Sequence, residues 1–429
     1  MKNRKKACPT KGKACVAAAT ERTTNIELYR ILMMLLIIAH HYVVNSGLTA
    51  ADGPIYAAPM AAHSLFLLLF GAWGKMGINC FLLITGYYMC TSHITVRKFA
   101  KLFFEVLFYR LALNTIFWLT GYVPFSGRSL FYTMFFFNSV ATDFFNVYLY
   151  FFLLIPFLNI LLRNITEKQL LRLLLLLLFL YVFLGTLPLF RVVKNYVSWF
   201  VVVYLTAAYI RLYPKRLFDG AARWGIITLS VMLFAAASVV LCAKYKEHNA
   251  YAYVMDSNTF FAYAAAVSSF LFFKNWKIPF CRFINIAASS TFGVLCIHAN
   301  SNAMRAWLWT DTLQNVKMYA TRWGYLHAVL SVLGVYGVCV LLDQMRIYLV
   351  EKPFFKQWDR HWPRISKKFS QWEAKICQRL HIQEDGIRDR AFEQKVEDTD
   401  NMADEKEERE LPSPLSKSRC WRGFAYLPK

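Results

Sequence analysis

The chain has 429 residues, of which 57% are hydrophobic, 17% aromatic and only 17% charged, a balance that excludes an ordinary soluble protein and points to one embedded in a membrane. Its formal net charge of +23 falls in short clusters between long apolar stretches, which excludes the single basic face of a nucleic-acid-binding protein. The ten cysteines make no C-x-x-C pair and no Cys and His set at zinc spacing, so no metal site is expected and the thiols read as small apolar fillers of helix interfaces.

Residues 1–24 form a basic segment whose only apolar run, Val16 to Ala19, is far shorter than the roughly 7–15 residues of a signal-peptide core. The first true span is therefore the anchor. A bilayer core of about 30 Å takes roughly 20 helical residues, and apolar stretches of that kind predict spans at about 26–46, 64–90, 98–120, 144–162, 169–187, 196–212, 223–243, 258–274, 286–300 and 327–350. The run Phe131 to Phe137 is too short to cross and predicts an interfacial or re-entrant piece. The chain thus reads as an all-α polytopic membrane protein with about ten transmembrane helices.

Lys and Arg gather before the first span, at Arg97, Lys98 and Lys101, around Lys168, Lys215 and Lys277, and from Arg346 onward, whereas the loop 47–63 has none and the later outer loops carry a few, such as Arg128, Arg191, Lys244 and Arg322. This asymmetry predicts both termini on the cytoplasmic side of a multi-pass protein of the plasma or inner membrane. The domains follow: the basic segment 1–24, a membrane domain 25–355, and a charged tail 356–429 with a mostly acidic run from Glu384 to Glu410. That composition predicts a largely disordered tail, with one amphipathic turn near Phe369 to Leu380.

Ionisable residues inside a span cost about 2.5–3.5 kcal/mol each on insertion scales and so mark function. The first span carries Glu27, Arg30, His40, His41 and Asn45. Arg30 and His41 are eleven residues apart, which returns to within about 20° of the same face and about 16 Å along the axis, while His40 points about 80° away. The pattern suggests a polar shaft with a fixed cation at its mouth and a titratable base deeper in, Asn45 sharing the face and able to orient the imidazole. The plainer alternative is that Glu27 and Arg30 pair at the membrane surface and the histidines bond to backbone or a neighbouring helix.

Five segments resemble the integral-membrane acyltransferases known as acyltransferase family 3. Asn25-Ile-Glu-Leu-Tyr-Arg30 with His41 is similar to the Arg and His signature of the family's first helix, and Gly77-Ile-Asn-Cys-Phe-Leu-Leu-Ile-Thr-Gly-Tyr87 to its second, with Thr85 where a serine is usual. Tyr148, Pro156 and Asn159 match the fourth, although Asp143 stands at its aromatic entry. Ser290-Thr-Phe-Gly-Val-Leu-Cys-Ile-His298 resembles the segment that ends in histidine, with Leu295 in place of tyrosine, and Glu351-Lys-Pro353 resembles the ending. The family's Arg-x-x-Arg at the third helix has its nearest match in Lys98-Phe-Ala-Lys101 beside Arg97.

The resemblance implies an O-acyltransferase that takes an acyl group, acetyl by default, from cytoplasmic acyl-CoA to a hydroxyl of an exported or lipid-linked cell-surface glycan. It implies His41 as catalytic base and Arg30, Arg97, Lys98 and Lys101 as donor-binding residues, with no permanently bound cofactor. Glu27, Asn45 and His298 are supporting or acceptor-side candidates. His298 either orients the acceptor with Asn300 or Arg305, or is a packed residue making one interhelical bond. Transfer is completed by the membrane domain in contact with membrane lipid, or passed to a separate extracytoplasmic partner. A transporter or flippase of lipid-linked glycans is the competing class, against which stands the lack of internal repeat symmetry.

Overall fold

The computed structural model describes residues 23–135, 144–190, 192, 195–246 and 248–380. The N-terminal basic segment up to residue 22, Phe136 and Phe137, Asp143, Arg191, Lys194 and the acidic run from Glu384 lie outside these. Every regular element among the described residues is helical.

Ten helical rods stand where spans were predicted. They are α1 (Thr24–Val44), the pair α2 (Ala62–Gly71) and α3 (Gly74–Met89), α4 (Val96–Leu119), α5 (Phe144–Asn164) and α6 (Glu167–Leu178), which continues through a π-helical turn to Thr186. Then come α7 (Tyr196–Leu212), α8 (Ala221–Tyr245), α9 (Phe260–Asn275), the pair α10 (Arg282–Ser289) and α11 (Thr291–His298), and α12 (Gly324–Arg346). A π-helical turn, Ile347–Glu351, joins α12 to α13 (Lys352–Arg379). The predicted interfacial piece is a short helix, Gly127–Met134.

Among the described residues, seven helical stretches are long and apolar enough to cross a bilayer, and an eighth is added if Arg282–His298 and Asn302–Met318, bent by 97°, count as one span. The difference from ten lies in α7 and α9, of 17 and 16 residues. Their length of about 24–26 Å falls short of the hydrocarbon core. The reason is their place in the bundle. Trp199, Phe200, Val203 and Tyr204 of α7 are fully buried, whereas Leu229, Leu233 and Phe234 of α8 are exposed as lipid-facing residues are. An inner helix shielded by protein need not match the lipid thickness.

Hydrogen bonds fix both ends of these short rods. At one end, Cys281 N–H donates to Thr24 Oγ1 at 3.0 Å and Lys215 pairs with Glu167 at 2.7 Å, so the starts of α1 and α6 lie beside the exits of α9 and α7. At the other, Phe260 N–H donates to Thr186 Oγ1 at 2.7 Å and His248 Nε2 meets the Ala51 carbonyl at 3.0 Å. α7 and α9 therefore run the full distance between the two ends.

α1 sits at the centre, packed against α2, α3, α9, α10, α11 and α12. α3 comes close to it because glycines face it. A Cβ on Gly77 would sit 2.7 Å from Ile37 Cγ1, and one on Gly74 would overlap the His40 ring. Small residues of this kind let helix backbones approach within a membrane. Caps readable in the sequence are present as well: Thr95 accepts from Lys98 N–H, Asn195 from Ser198 N–H, and Thr166 with Gln169 completes a capping box.

One expectation is corrected. Over the part of the tail among the described residues, in place of a single amphipathic turn near Phe369 to Leu380, α13 is a 28-residue helix that runs from Lys352 to Arg379. Its charged composition suggested disorder, yet aromatic and aliphatic residues recur along it at three- and four-residue spacing, which supports a helix.

Candidate active site

The first motif places α1. Asn25 Nδ2 donates to the Phe273 carbonyl at 2.9 Å, and the Tyr29 hydroxyl pairs with Ser269 Oγ at 2.8 Å, both on α9. These bonds fix the rotation of α1, and with it the faces that Arg30 and His41 occupy. Because α1 is regular from Thr24 to Val44, the eleven-residue spacing keeps the two side chains on one face.

Arg30 NH1 lies 3.5 Å from Glu27 Oε1. Glu27 is buried, so its side of this pair is shielded by the bundle. Arg30 Nε is a buried nitrogen with no hydrogen-bond partner among the described residues. Beside it stand residues from two other motif segments. Tyr148 is within electrostatic reach of Arg30, and its hydroxyl meets Thr85 Oγ1 at 3.0 Å. The remaining motif asparagines hold helices together: Asn79 bonds the Ser257 carbonyl and Trp199 Nε1, and Asn159 bonds the Met89 carbonyl and the Tyr204 hydroxyl.

The structure joins His41 to His298, with His41 Nδ1 3.0 Å from His298 Nε2. His298 Nδ1 lies 2.6 Å from the Val294 carbonyl, one turn back on α11. A carbonyl only accepts, so His298 carries its proton on Nδ1 and offers the Nε2 lone pair. His41 must then donate from Nδ1, which leaves Nε2 of a neutral His41 as a free lone pair. The chain of donors specifies the tautomer a general base needs. His298 ends α11 at the break before the bent pair's second arm, so the discontinuity brings its ring to α1.

His40 is placed otherwise. It is buried, its Nδ1 donates to the Gly71 carbonyl at 2.6 Å, and its ring packs on Gly74. The different roles of the two adjacent histidines follow from the angle between them on the helix. Asn45 does not orient His41, contrary to expectation: α1 ends at Val44, and Asn45 caps it through its backbone N–H to the His41 carbonyl. The side chain that meets the His41 ring is that of His298.

The expected donor cations are all engaged. Arg97 makes a bidentate pair with Asp359 at 2.7 and 2.9 Å, Lys98 donates to the His93 carbonyl at 2.8 Å, and Lys101 meets Glu351 at 2.8 Å. Glu351 also holds Arg346, whose guanidinium reaches Glu105 and Asp343, while the Tyr109 hydroxyl donates to Asp343 at 2.7 Å. Glu351 is therefore part of a buried ionic cluster centred on Arg346 and links it to Lys101.

One cation escaped the sequence reading and a second was only partly placed by it. Lys75, near the start of α3, donates to the Tyr196 hydroxyl at 3.2 Å and lies within electrostatic reach of His40 and His41. Arg305, named only as a helper of His298, is within reach of both His41 and His298 and donates to Asn302 Oδ1 at 3.1 Å. A lone lysine in an otherwise apolar span is the signal that could have found the first.

A family model described as an acyltransferase domain matches residues 23–343 of the 429. It takes in every motif segment quoted above except Glu351-Lys-Pro353. Comparison with curated proteins and with solved structures finds no match.

Proposed function

The chain belongs to acyltransferase family 3, and on the premise that it is a multi-pass membrane acyltransferase we propose that it moves an acyl group, acetyl by default, from cytoplasmic acyl-CoA to a hydroxyl of an exported or lipid-linked cell-surface saccharide. The observation that carries the reading is the His41 to His298 contact, with His298 anchored on Val294. It leaves His41 Nε2 as the base.

In this scheme the acceptor hydroxyl oxygen attacks the thioester carbonyl while its proton passes to His41 Nε2. The carbon–sulfur bond breaks, the CoA thiolate leaves and takes up a proton, and an ester and a thiol result. The imidazolium formed in between keeps its Nδ1–H on His298 Nε2, which favours the charged form during the step, as the orienting partner does in hydrolase triads. Lys75 and Arg305 supply positive charge near the reacting carbonyl, where a tetrahedral oxyanion develops.

The donor enters from the end of the bundle that carries Arg30. Arg30, about 16 Å from His41 along α1, suits the diphosphate or the pantetheine carbonyls, and the pantetheine arm is of comparable length. The Arg97 to Asp359 pair is half exposed on both sides, so its guanidinium can exchange a carboxylate for a phosphate at little cost. Only the acyl group crosses the low-dielectric layer.

The test is acetyl-CoA-dependent thiol release and thermal stabilisation by acetyl-CoA, measured on purified protein with His41→Ala and His40→Ala at matched folding. Expected is stabilisation of all three, with thiol release lowered about 100-fold or more only by His41→Ala, the scale of a lost general base. If acetyl-CoA neither stabilises the wild type nor yields thiol, the donor assignment fails.

A further inference from the structure

The arm that carries His298 meets α12 at two neighbouring points. Gln344 Nε2 donates to Ser290 Oγ at 2.7 Å and to Ser289 Oγ at 3.1 Å, where α10 gives way to α11. Three residues further on, a Cβ built on Gly293 would overlap the carboxylate of Asp343. Glycine at 293 is thus required by the space that Asp343 occupies, since its own backbone is helical.

The carboxylate is not free to yield. Asp343 is fully buried, and its Oδ1 accepts from the Tyr109 hydroxyl at 2.7 Å and from Arg346 Nε at 2.9 Å. Arg346 is held in turn by Glu105 and Glu351. Asp343 Oδ2, by contrast, has no hydrogen-bond partner among the described residues. Beyond the two bonds at Oδ1, what the group does is fill the space beneath Gly293.

α11 is poorly placed to absorb a displacement there. It is eight residues long, Val294 to His298 are all buried, and Phe292 packs against Phe145 and Tyr148 of α5. A short rod in close-packed surroundings moves as a unit. Val294, whose carbonyl holds His298 Nδ1, directly follows Gly293, and His298 lies five residues on, about 7.5 Å along the axis. A shift of about 1 Å at Gly293 would carry the 3.0 Å contact between His298 and His41 out of hydrogen-bond range. We propose that Gly293 and Asp343 are positioning residues for this pair: the clamped carboxylate is the seat on which α11 rests, and it sets where His298 meets His41. The inference rests on the reading of His41 as the base, and it gives the ionic cluster of α4 and α12 a part in the reaction as well as in stability.

Two readouts on the same purified full-length variants, at matched folding, keep the inference apart from that reading. One is carbethoxylation of each histidine by diethyl pyrocarbonate, followed by peptide mass spectrometry; the other is acetyl-CoA-dependent thiol release. In the wild type, His41 is partly exposed and is expected to react, whereas His298, buried with both ring nitrogens engaged, is expected to stay unmodified. Gly293→Ala and Asp343→Ala should each make His298 reactive and lower thiol release about tenfold or more, at unchanged KM for acetyl-CoA. Asp343→Asn keeps the shape and the Oδ1 acceptor and should recover most of what Asp343→Ala loses. In a His298→Ala background Gly293→Ala should lower thiol release no further. His298 still protected in both Gly293→Ala and Asp343→Ala overturns the inference whether or not the protein releases thiol, and so does a loss that multiplies with that of His298→Ala. A wild type that releases no thiol, with His298 exposed in the variants, would support the seat and remove the reaction assigned to the pair. Where Gly293→Ala does not fold, the contrast between Asp343→Ala and Asp343→Asn decides alone.

Discussion

At the scale of single residues the two histidines of α1 separate chemistry from packing. His298→Ala leaves His41 Nδ1 without its acceptor and frees the ring to rotate, so turnover should fall by about 10 to 100-fold, the scale of losing an orienting partner, with the apparent KM for acetyl-CoA unchanged. His298→Gln can accept from His41 Nδ1 through its amide oxygen and should recover part of the loss; equal activity of both variants with wild type would remove the orienting role. His40→Ala should instead cost about 1–3 kcal/mol of stability, because it strips a partner from the buried Gly71 carbonyl, while thiol release per folded molecule is preserved. Helical period alone placed Arg30 and His41 on one face and His40 off it. The His298 contact was not readable, since it closes across 257 residues and depends on a break in a span. Asn45 was misread because the residue at which α1 would end was not visible in the apolar run.

At the scale of elements, α4 is bound to the end of α12 by charge. The Arg346 side chain is 2% exposed and serves Glu105, Asp343 and Glu351 together. Removing it leaves several carboxylates desolvated without a counter-charge, so Arg346→Ala should lower stability by about 3–5 kcal/mol, read as a fall in the thermal midpoint in detergent. Asp359→Ala, which breaks only the half-exposed pair with Arg97, should barely move that midpoint. A comparable fall for both would mean that the cluster is not the stronger tie. The elements of this contact were legible one by one, as a third span and as a Glu-Lys-Pro ending. Their meeting was not, because an ion pair between distant helices leaves no periodic trace. The extent of α13 was missed for a different reason: average composition weighed against structure, whereas the three- and four-residue spacing of its aromatics supports it.

At the scale of the whole molecule the number of crossings decides where each loop lies. Length and apolarity alone single out seven or eight spans, but the bonds joining Cys281 to Thr24 and Lys215 to Glu167 require α7 and α9 to return to the end where α1 and α6 begin. With those two included the expected count is ten passes, an even number that predicts both ends of the membrane domain on one side, and the Lys and Arg distribution predicts that side to be the cytoplasm. Cysteine labelling with a membrane-impermeant thiol reagent in intact cells checks this. A cysteine introduced at Asp52 or Asn249 should be labelled from outside, and one at Lys215 or Lys277 only after permeabilisation. If α7 did not cross, Lys215 would be reached from outside and Asn249 would not. That result would also move Arg97 and Arg30 relative to the later helices and dismantle the donor path, so the topology and the chemistry fall or stand on the same four positions.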